Sequence, residues 1–327
     1  MLQHRLPIDK KIFISIPSYE DELLLETIND ALLKAKNASR LTFGVALQYK
    51  KIDKPDLSFL GNQLKLIEYD VDSRPGIIEI RKNIADLIED EEYFLGIDAH
   101  TLFAQNWDQQ YIDDHQMLIE KNGNSKVCIA SRINGSESDF KKDLYSEYLD
   151  TRWILDINKN NVYETWWDWP VDVKNRLYDT PEYVKRYFVS ANNWFTTSEF
   201  FINNLFWCFN KTVYEEPQIS LSLFLNNYDV YLPTSKVLVI ANPKSQTTNR
   251  ENKIHWQNPS HKNWNHDSIE VVREVFKLFY TGKSNIFSLN RPDDIYKWWN
   301  AIGLYEKAKE VSDRLKTLHL DRTYYLD

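Results

Sequence analysis

Cysteine is scarce in this 327-residue chain, where only Cys128 and Cys208 carry thiols. Their spacing fits neither a zinc ribbon nor a redox pair, so a disulfide framework is excluded and a reducing, cytoplasmic compartment is expected. Long apolar runs are missing too. No stretch approaches the length that crosses a bilayer, and the opening MLQHRLPIDKK lacks the apolar centre of a secretion signal, so no membrane partner is expected. The N-x-[ST] patterns at Asn37, Asn134 and Asn210 therefore carry little weight. Positive charge is in deficit, with 40 Lys and Arg against 48 Asp and Glu and a formal net charge of -8. Such a balance supplies no broad cationic field for a nucleic-acid backbone or an anionic membrane. Internal repeats and low-complexity segments are absent.

The chain has an ordinary globular balance of 43% hydrophobic and 27% charged residues, enough to bury a large core. Aromatics reach 14%, with 11 Trp and 19 Tyr; most fill a core, and the rest are suited to stacking on sugars or bases. Hydrophobic periodicity divides the first hundred residues into strands at Lys11 to Ile16, Leu41 to Gln48, Leu64 to Tyr69 and Tyr93 to Ile97, with helices at Glu22 to Lys36 and Ile77 to Ile88. The first strand is expected to stop at Pro17-Ser18-Tyr19. This alternation predicts an α/β fold with a mostly parallel central sheet flanked by helices. Beyond it, a helix is expected over Trp107 to Glu120 and strands over Lys126 to Ser131 and Tyr187 to Phe195. Helices follow after Ser198 and over Gln218 to Asn226, with strands near Val230 and Val237. Residues 138–187 form an aromatic-rich insertion of little regular period. Residues 1–265 are expected to make one domain, and 266–327 a C-terminal helical extension packed on it, with Trp298, Trp299, Ile302 and Leu304 facing the body.

Tyr93 to Phe103, YFLGIDAHTLF, is the most informative segment. A buried strand runs into Asp98-Ala99-His100 at the end where open α/β sheets bind ligands. In extended backbone Asp98 and His100 point the same way, and a carboxylate with an imidazole suits manganese better than magnesium. The spacing alone is equally compatible with a solvated strand end. Arg74-Pro75-Gly76 precedes a helix that carries Arg81, where free N–H groups and a guanidinium would receive phosphate, although a helix arginine is more often simply solvated. Tyr19 after the first strand is placed to lie against a base or merely to end the strand. Glu215-Glu216-Pro217 opens a helix, where the dipole favours acids in any case.

Taken in order, these pieces resemble the GlcNAc-transferase family of GT-A glycosyltransferases, whose eukaryotic members are similar to the Skp1-hydroxyproline GlcNAc-transferase. Ile12 to Tyr19 (IFISIPSY) is similar to the family's opening I-F-V-S-I-A-S-Y, and Phe43 to Gln48 to its G-V-x-x-Q strand. Gly76 and Arg81 keep the spacing of G-P-x-W-A-R. Tyr93 to Asp108 is similar to Y-F-L-Q-I-D-S-H-x-x-F with the W-D that follows. Ser190 to Asn193 stands at S-A-G, Tyr214 to Glu216 at G-E-E, and Tyr228-Asp229 at G-Y-D. Arg291 to Gly303 resembles a late Arg, Tyr and Gly pattern of the family.

The resemblance implies a GT-A nucleotide-sugar-binding fold and a retaining hexosyltransferase that moves GlcNAc or another hexose from a UDP-sugar to an acceptor hydroxyl. Asp98 and His100 would bind Mn2+ or another divalent cation. Pro17, Ser18, Tyr19, Gln48, Arg74, Gly76, Arg81, Asp98, Ala99, Asn192 and Asn193 would lie about the nucleotide-sugar, and Glu215 and Glu216 about the transferred sugar and acceptor. The family's later histidine ligand has no counterpart in Val237 to Pro243; His255 is the first substitute, with His261, His266 and Asn242 behind it. Asn192 and Tyr214 replace family glycines, which leaves the sugar open. The acceptor is expected to be a protein or glycan. Two other readings are a degenerate transferase that binds without turnover, and an acceptor base in DNA stacked on Tyr163 to Trp169 with Lys141, Lys142, Lys174, Arg176, Lys185 and Arg186 nearby.

Overall fold

The computed structural model describes residues 10–50, 54–73, 75–130, 152–157, 163–168, 185–187, 189–202, 215–231, 239–241, 283–284, 289–290 and 292–301. The opening alternation is present: β1 (Ile12–Tyr19), α1 (Leu24–Lys34), β2 (Leu41–Tyr49), β3 (Leu64–Asp70), α2 (Ile77–Ala85) and β4 (Tyr93–Ile97). After it come β5 (Thr101–Phe103), α3 (Trp107–Asn122), β6 (Val127–Ala130), β7 (Arg152–Ile157), β8 (Tyr163–Asp168), β9 (Lys185–Arg186) and β10 (Asn193–Thr197). The last described elements are α4 (Glu199–Ile202), α5 (Glu215–Leu225), β11 (Asp229–Tyr231), β12 (Val239–Ala241), β13 (Lys283–Ser284), β14 (Leu289–Asn290) and α6 (Pro292–Ala301).

Eight strands form one sheet in the order β3-β2-β1-β4-β10-β6-β11-β9. The first four are mutually parallel, β10 is antiparallel to both β4 and β6, and β11 returns parallel to β6. Alternate residues of β1 serve opposite faces, as a strand's period of two requires. Ile12, Ile14 and Ile16 pack with Leu24, Ile28 and Ala31 of α1 and with Trp107, Tyr111 and Leu118 of α3. Phe13 packs on the other face with Ile80 and Ile84 of α2, Trp194 of β10, and Ile219 and Leu223 of α5. The sheet is thus covered on both sides, which is why β2 reads as an almost unbroken apolar run.

Four expectations need correction. Strand β1 continues through Pro17 to Tyr19, because pairing with β4 ends at Ser15–Gly96 and only β2 runs beside the later residues; a strand losing a neighbour tolerates a residue with no N–H. Strand β10 begins at Asn193 and not Tyr187. The N–H of Val189 is taken by the Ser220 hydroxyl (2.9 Å), and Asn193 N–H closes a turn onto the Ser190 carbonyl (3.3 Å), so residues 189–192 are not available to the ladder. The aromatic-rich insertion is not irregular throughout, since β7 and β8 pair antiparallel within it. Lys283, within the extension expected to be helical, lies in β13 and pairs with Asn290.

Close approach of Trp194 to β4 requires a glycine at position 96, where an added Cβ would fall 2.2 Å from the indole Nε1. Among the described residues no helix is long and apolar enough to cross a membrane. In the C-terminal part, Ile295 and Trp298 of α6 are buried, and α6 meets α5.

His115 of α3 illustrates what burial does to a titratable group. Its ring packs edge-on to Tyr93 (5.3 Å) and Phe195 (6.0 Å), Nε2–H donates to the Val127 carbonyl (3.2 Å), and Nδ1 is buried with no hydrogen-bond partner among the described residues. Burial, with a smaller contribution from Lys10, pushes its pKa down from 6.5 to about 4. The unfolded chain therefore takes up a proton from about pH 6.5 downward that the folded protein refuses until about pH 4. Stability present above pH 6.5 is lost across that window, by about 3 kcal/mol at the acid end. His115→Phe is expected to flatten the dependence. Urea midpoints at pH 7 and 4.5 should differ less for the variant than for the parent protein, and equal differences would discard this account.

Candidate functional site

Helix α1 holds the segment that leaves β4. The Thr27 hydroxyl donates to the Ala99 carbonyl and accepts from Thr101 N–H, both at 2.8 Å; the Thr101 hydroxyl donates to the Asp98 carbonyl (2.8 Å), and Asp30 accepts Phe103 N–H (2.6 Å). These bonds bend residues 98–100 out of extended conformation. The expectation that strand alternation aims Asp98 and His100 together is corrected: the bend does it, with Ala99 turned inward and 3% exposed. Asp98 and His100 are 36% and 25% exposed, and Oδ2 of one lies 3.9 Å from Nε2 of the other. Two ligands each about 2 Å from one ion stand roughly 3–4 Å apart, so the pair fits a cation between them. Among the described residues no group of three or more His, Cys, Asp or Glu side chains is arranged to hold a metal.

Beneath Asp98 lies Arg81, 1% exposed. Its Nε donates to Glu215 (2.5 Å) and one terminal nitrogen lies 3.6 Å from Asp98 Oδ1, while Nη1 is buried and has no hydrogen-bond partner among the described residues. Burial alone would lower the Arg81 pKa, but the charges of Glu215 and Asp98 outweigh it and raise it. For Glu215 burial pushes up, Arg81 pulls down and Asp98 pushes up again, leaving it above the ordinary glutamate value. Burial and the adjacent Glu215 push Glu216 up to about 8. Burial thus favours the protonated form of both glutamates, and at Glu215 the Arg81 charge opposes it. Arg81, expected beside the nucleotide and not merely solvated, is buried and ties α2 to the Asp98 loop and the start of α5.

Asp21, which sequence reasoning did not single out, belongs to the same cluster. Its Oδ2 lies 2.8 Å from His100 Nδ1, its Oδ1 accepts Leu23 N–H (3.0 Å), and its backbone carbonyl accepts the Tyr49 hydroxyl, which also lies 3.1 Å from Ser18 Oγ. Glu20 just before it is left-handed, at φ 43°, and its N–H is held by the Gln48 carbonyl (3.0 Å). An acid directly after a strand that neighbours β4 was the one signal available.

The remaining expected residues divide. Pro17 and Tyr19 are half-buried at the end of β1. Gln48 is buried and its amide nitrogen donates to the carbonyls of Asp70, Val71 and Ser73 (3.3, 3.3 and 2.8 Å), shaping the turn that leads to Gly76. Gly76 caps α2 in an extended conformation open to any residue, φ −72° and ψ 156°. Asn192 accepts the Ser190 hydroxyl (2.8 Å), and Asn193 is turned onto α3, where it accepts the Tyr111 hydroxyl (2.6 Å). The structure thus brings Asp98, His100, Arg81 and Glu215 together, with Glu216 at the α5 start, and does not bring Asn193 to them. Arg74, Tyr214, Asn242, His255, His261 and His266 lie outside the described residues, as do Lys141, Lys142, Trp169, Lys174 and Arg176.

Sequence comparison assigns the family. The family model described as Glycosyltransferase (GlcNAc) matches residues 11–71 and 56–276, well over half of the chain. The chain belongs to this glycosyltransferase family. Its described elements form an α/β fold around one mixed, largely parallel sheet. Among curated proteins none matches its sequence. Similar solved structures include GalNAc-T7 with UDP, GalNAc and Mn2+, at 12% identity and a TM-score of 0.49, over 94% of this chain and 58% of that one. Another is S. aureus TarS 1-349, at 14% identity and a TM-score of 0.45, over 94% of this chain and 83% of that one. The chain spans only 58% of the GalNAc-T7 chain.

Proposed function

We propose that this glycosyltransferase moves a sugar, GlcNAc first among candidates, from a UDP-sugar to a hydroxyl of a protein or glycan acceptor, with retention of configuration and with Mn2+ or another divalent cation. The observation that carries the reading is the convergence of Asp98 and His100, partly exposed and 3.9 Å apart, at the carboxyl end of β4. These two side chains would hold the cation, which when bound neutralises charge on the diphosphate leaving group. Arg81 fixes Glu215 and Asp98 relative to one another, and Glu215 and Glu216 stand where negative charge or a hydrogen bond steadies positive charge on the sugar ring and orients the acceptor. In a retaining displacement the departing phosphate can accept the acceptor's proton, so no strong protein base is needed. Pro17, Ser18 and Tyr19, at the end of β1 beside the Asp98 loop, and Gly76 at the start of α2 border the nucleotide side in this reading. Residues 1–265 would form the catalytic unit and 266–327 its extension, supported by burial of Ile295 and Trp298. The sparse cysteines favour a cytoplasmic setting.

Calorimetric titration of UDP into the protein, with Mn2+ and then with EDTA, tests the donor site. Manganese-dependent binding is expected, weakened at least tenfold in Asp98→Ala. UDP binding that ignores both EDTA and the substitution would remove Asp98 from the site.

A further inference from the structure

We propose that Asp21 is a positioning residue for metal binding: it accepts a hydrogen bond from His100 Nδ1–H, fixes the tautomer whose Nε2 bears the lone pair, and aims that atom at the cation site beside Asp98. The inference rests on the reading of Asp98 and His100 as metal ligands. The 2.8 Å contact between Asp21 Oδ2 and His100 Nδ1 carries it, because it leaves Nε2 as the ring nitrogen on the Asp98 side, 3.9 Å from that carboxylate. Histidine ligands to metals commonly give their second N–H to a carboxylate, which sets ring orientation and basicity.

Asp21 is held where this role demands. Its side chain is 8% exposed. Its other carboxylate oxygen is engaged by Leu23 N–H, and its carbonyl by Tyr49 from β2, so it can neither rotate away nor drift with the loop. The left-handed backbone at Glu20, an uncommon conformation for a non-glycine residue, turns the chain from β1 toward the β4 end.

Asp21→Asn separates this role from a structural one. If the amide oxygen keeps Leu23 N–H, the NH2 group faces His100 Nδ1 and accommodates only a ring with its lone pair there. The proton then sits on Nε2, where a cation cannot bind. The variant should fold with a melting temperature close to the parent's, yet bind Mn2+ roughly 10–100-fold more weakly by calorimetry or by electron paramagnetic resonance of free Mn2+. Nitrogen-15 histidine spectra of the metal-free proteins should show His100 as the Nδ1–H tautomer in the parent and displaced from it in Asp21→Asn. Asp21→Glu should restore part of the affinity. Parent-like affinity and an unchanged tautomer in Asp21→Asn overturn the proposal. His100→Ala distinguishes the two levels. If that variant binds Mn2+ as tightly as the parent, the ligand reading itself fails and this proposal with it; if it loses affinity while Asp21→Asn does not, only the positioning role is wrong.

Discussion

Arg81→Met should lower stability by about 3–5 kcal/mol near pH 8, the usual result of stripping one partner from a buried ion pair. It should also reduce transfer by roughly 10²–10³-fold, the scale seen when a preorganised charge is removed from an active site. The side chain is 1% exposed and its charge is balanced by Glu215 and Asp98. Without it, Glu215 is a half-buried carboxylate, 14% exposed, with no cation beside it, and its pKa, already raised by burial, rises further. A group whose folded pKa exceeds its unfolded value adds stability below the unfolded pKa, and that stability is lost as pH rises through the folded one. The deficit of Arg81→Met should therefore shrink as the pH is lowered from 8 toward 5.5. Arg81→Lys should not rescue activity, because one ammonium cannot reproduce the planar fork that reaches Glu215 through Nε and Asp98 through a terminal nitrogen. Replacing both partners, in Arg81→Met with Glu215→Met, should destabilise less than Arg81→Met alone. Denaturant unfolding of the parent, Arg81→Met, Glu215→Met and the double variant at the two pH values checks the cycle. A loss under about 1 kcal/mol at pH 8, or full activity in Arg81→Lys, would mean that the pair is incidental.

The parts of this arrangement that sequence made legible are those in which local pattern and tertiary environment agree. Strands β1, β2 and β4 bury both faces and so appear as apolar runs, and α1 shows its buried stripe at Leu24, Thr27, Ile28 and Ala31. Asp98 and His100 were legible because both chemical groups sit in one short segment after such a run. Asp21 and His100 meet across 79 residues, and Arg81 and Glu215 across 134; no local pattern encodes either pairing. The reason first given for Asp98 and His100 facing together was strand alternation, whereas the bend that joins them depends on Thr27 and Asp30, in a helix far upstream. The start of β10 was misplaced for a similar cause, since Val189 has a strand former's side chain but gives its N–H to Ser220 on α5. Tertiary partners, not propensity, set that boundary.

Trp107 and Asp108 looked from sequence like a continuation of the site motif, and the structure gives them a different task. The Trp107 indole is fully buried against Phe103 and donates Nε1–H to the Ala31 carbonyl in α1 (3.0 Å). Asp108 is fully buried, accepts Lys36 N–H (2.6 Å) and Asn37 N–H (3.0 Å), and pairs with Arg40 at 3.4 Å. Together they fasten the end of α1 and its exit toward β2 onto α3. Because α1 supplies Thr27 and Asp30, the clamp on the Asp98–His100 bend is only as firm as this anchorage. Trp107→Ala should cost about 3–5 kcal/mol in stability. Trp107→Phe keeps most of the ring contact and loses one of the two hydrogen bonds that the Ala31 carbonyl accepts, the other coming from Ala35 N–H (3.1 Å), and should cost about 1 kcal/mol. Mn2+ affinity then separates anchorage from ligation. At a temperature where Trp107→Phe is fully folded it should bind Mn2+ within a few-fold of the parent, while Asp98→Ala, with its fold intact, should not. If Trp107→Phe lost metal affinity as completely as Asp98→Ala without loss of stability, the tryptophan would have to act on the site directly, and the anchoring role assigned to it would be wrong.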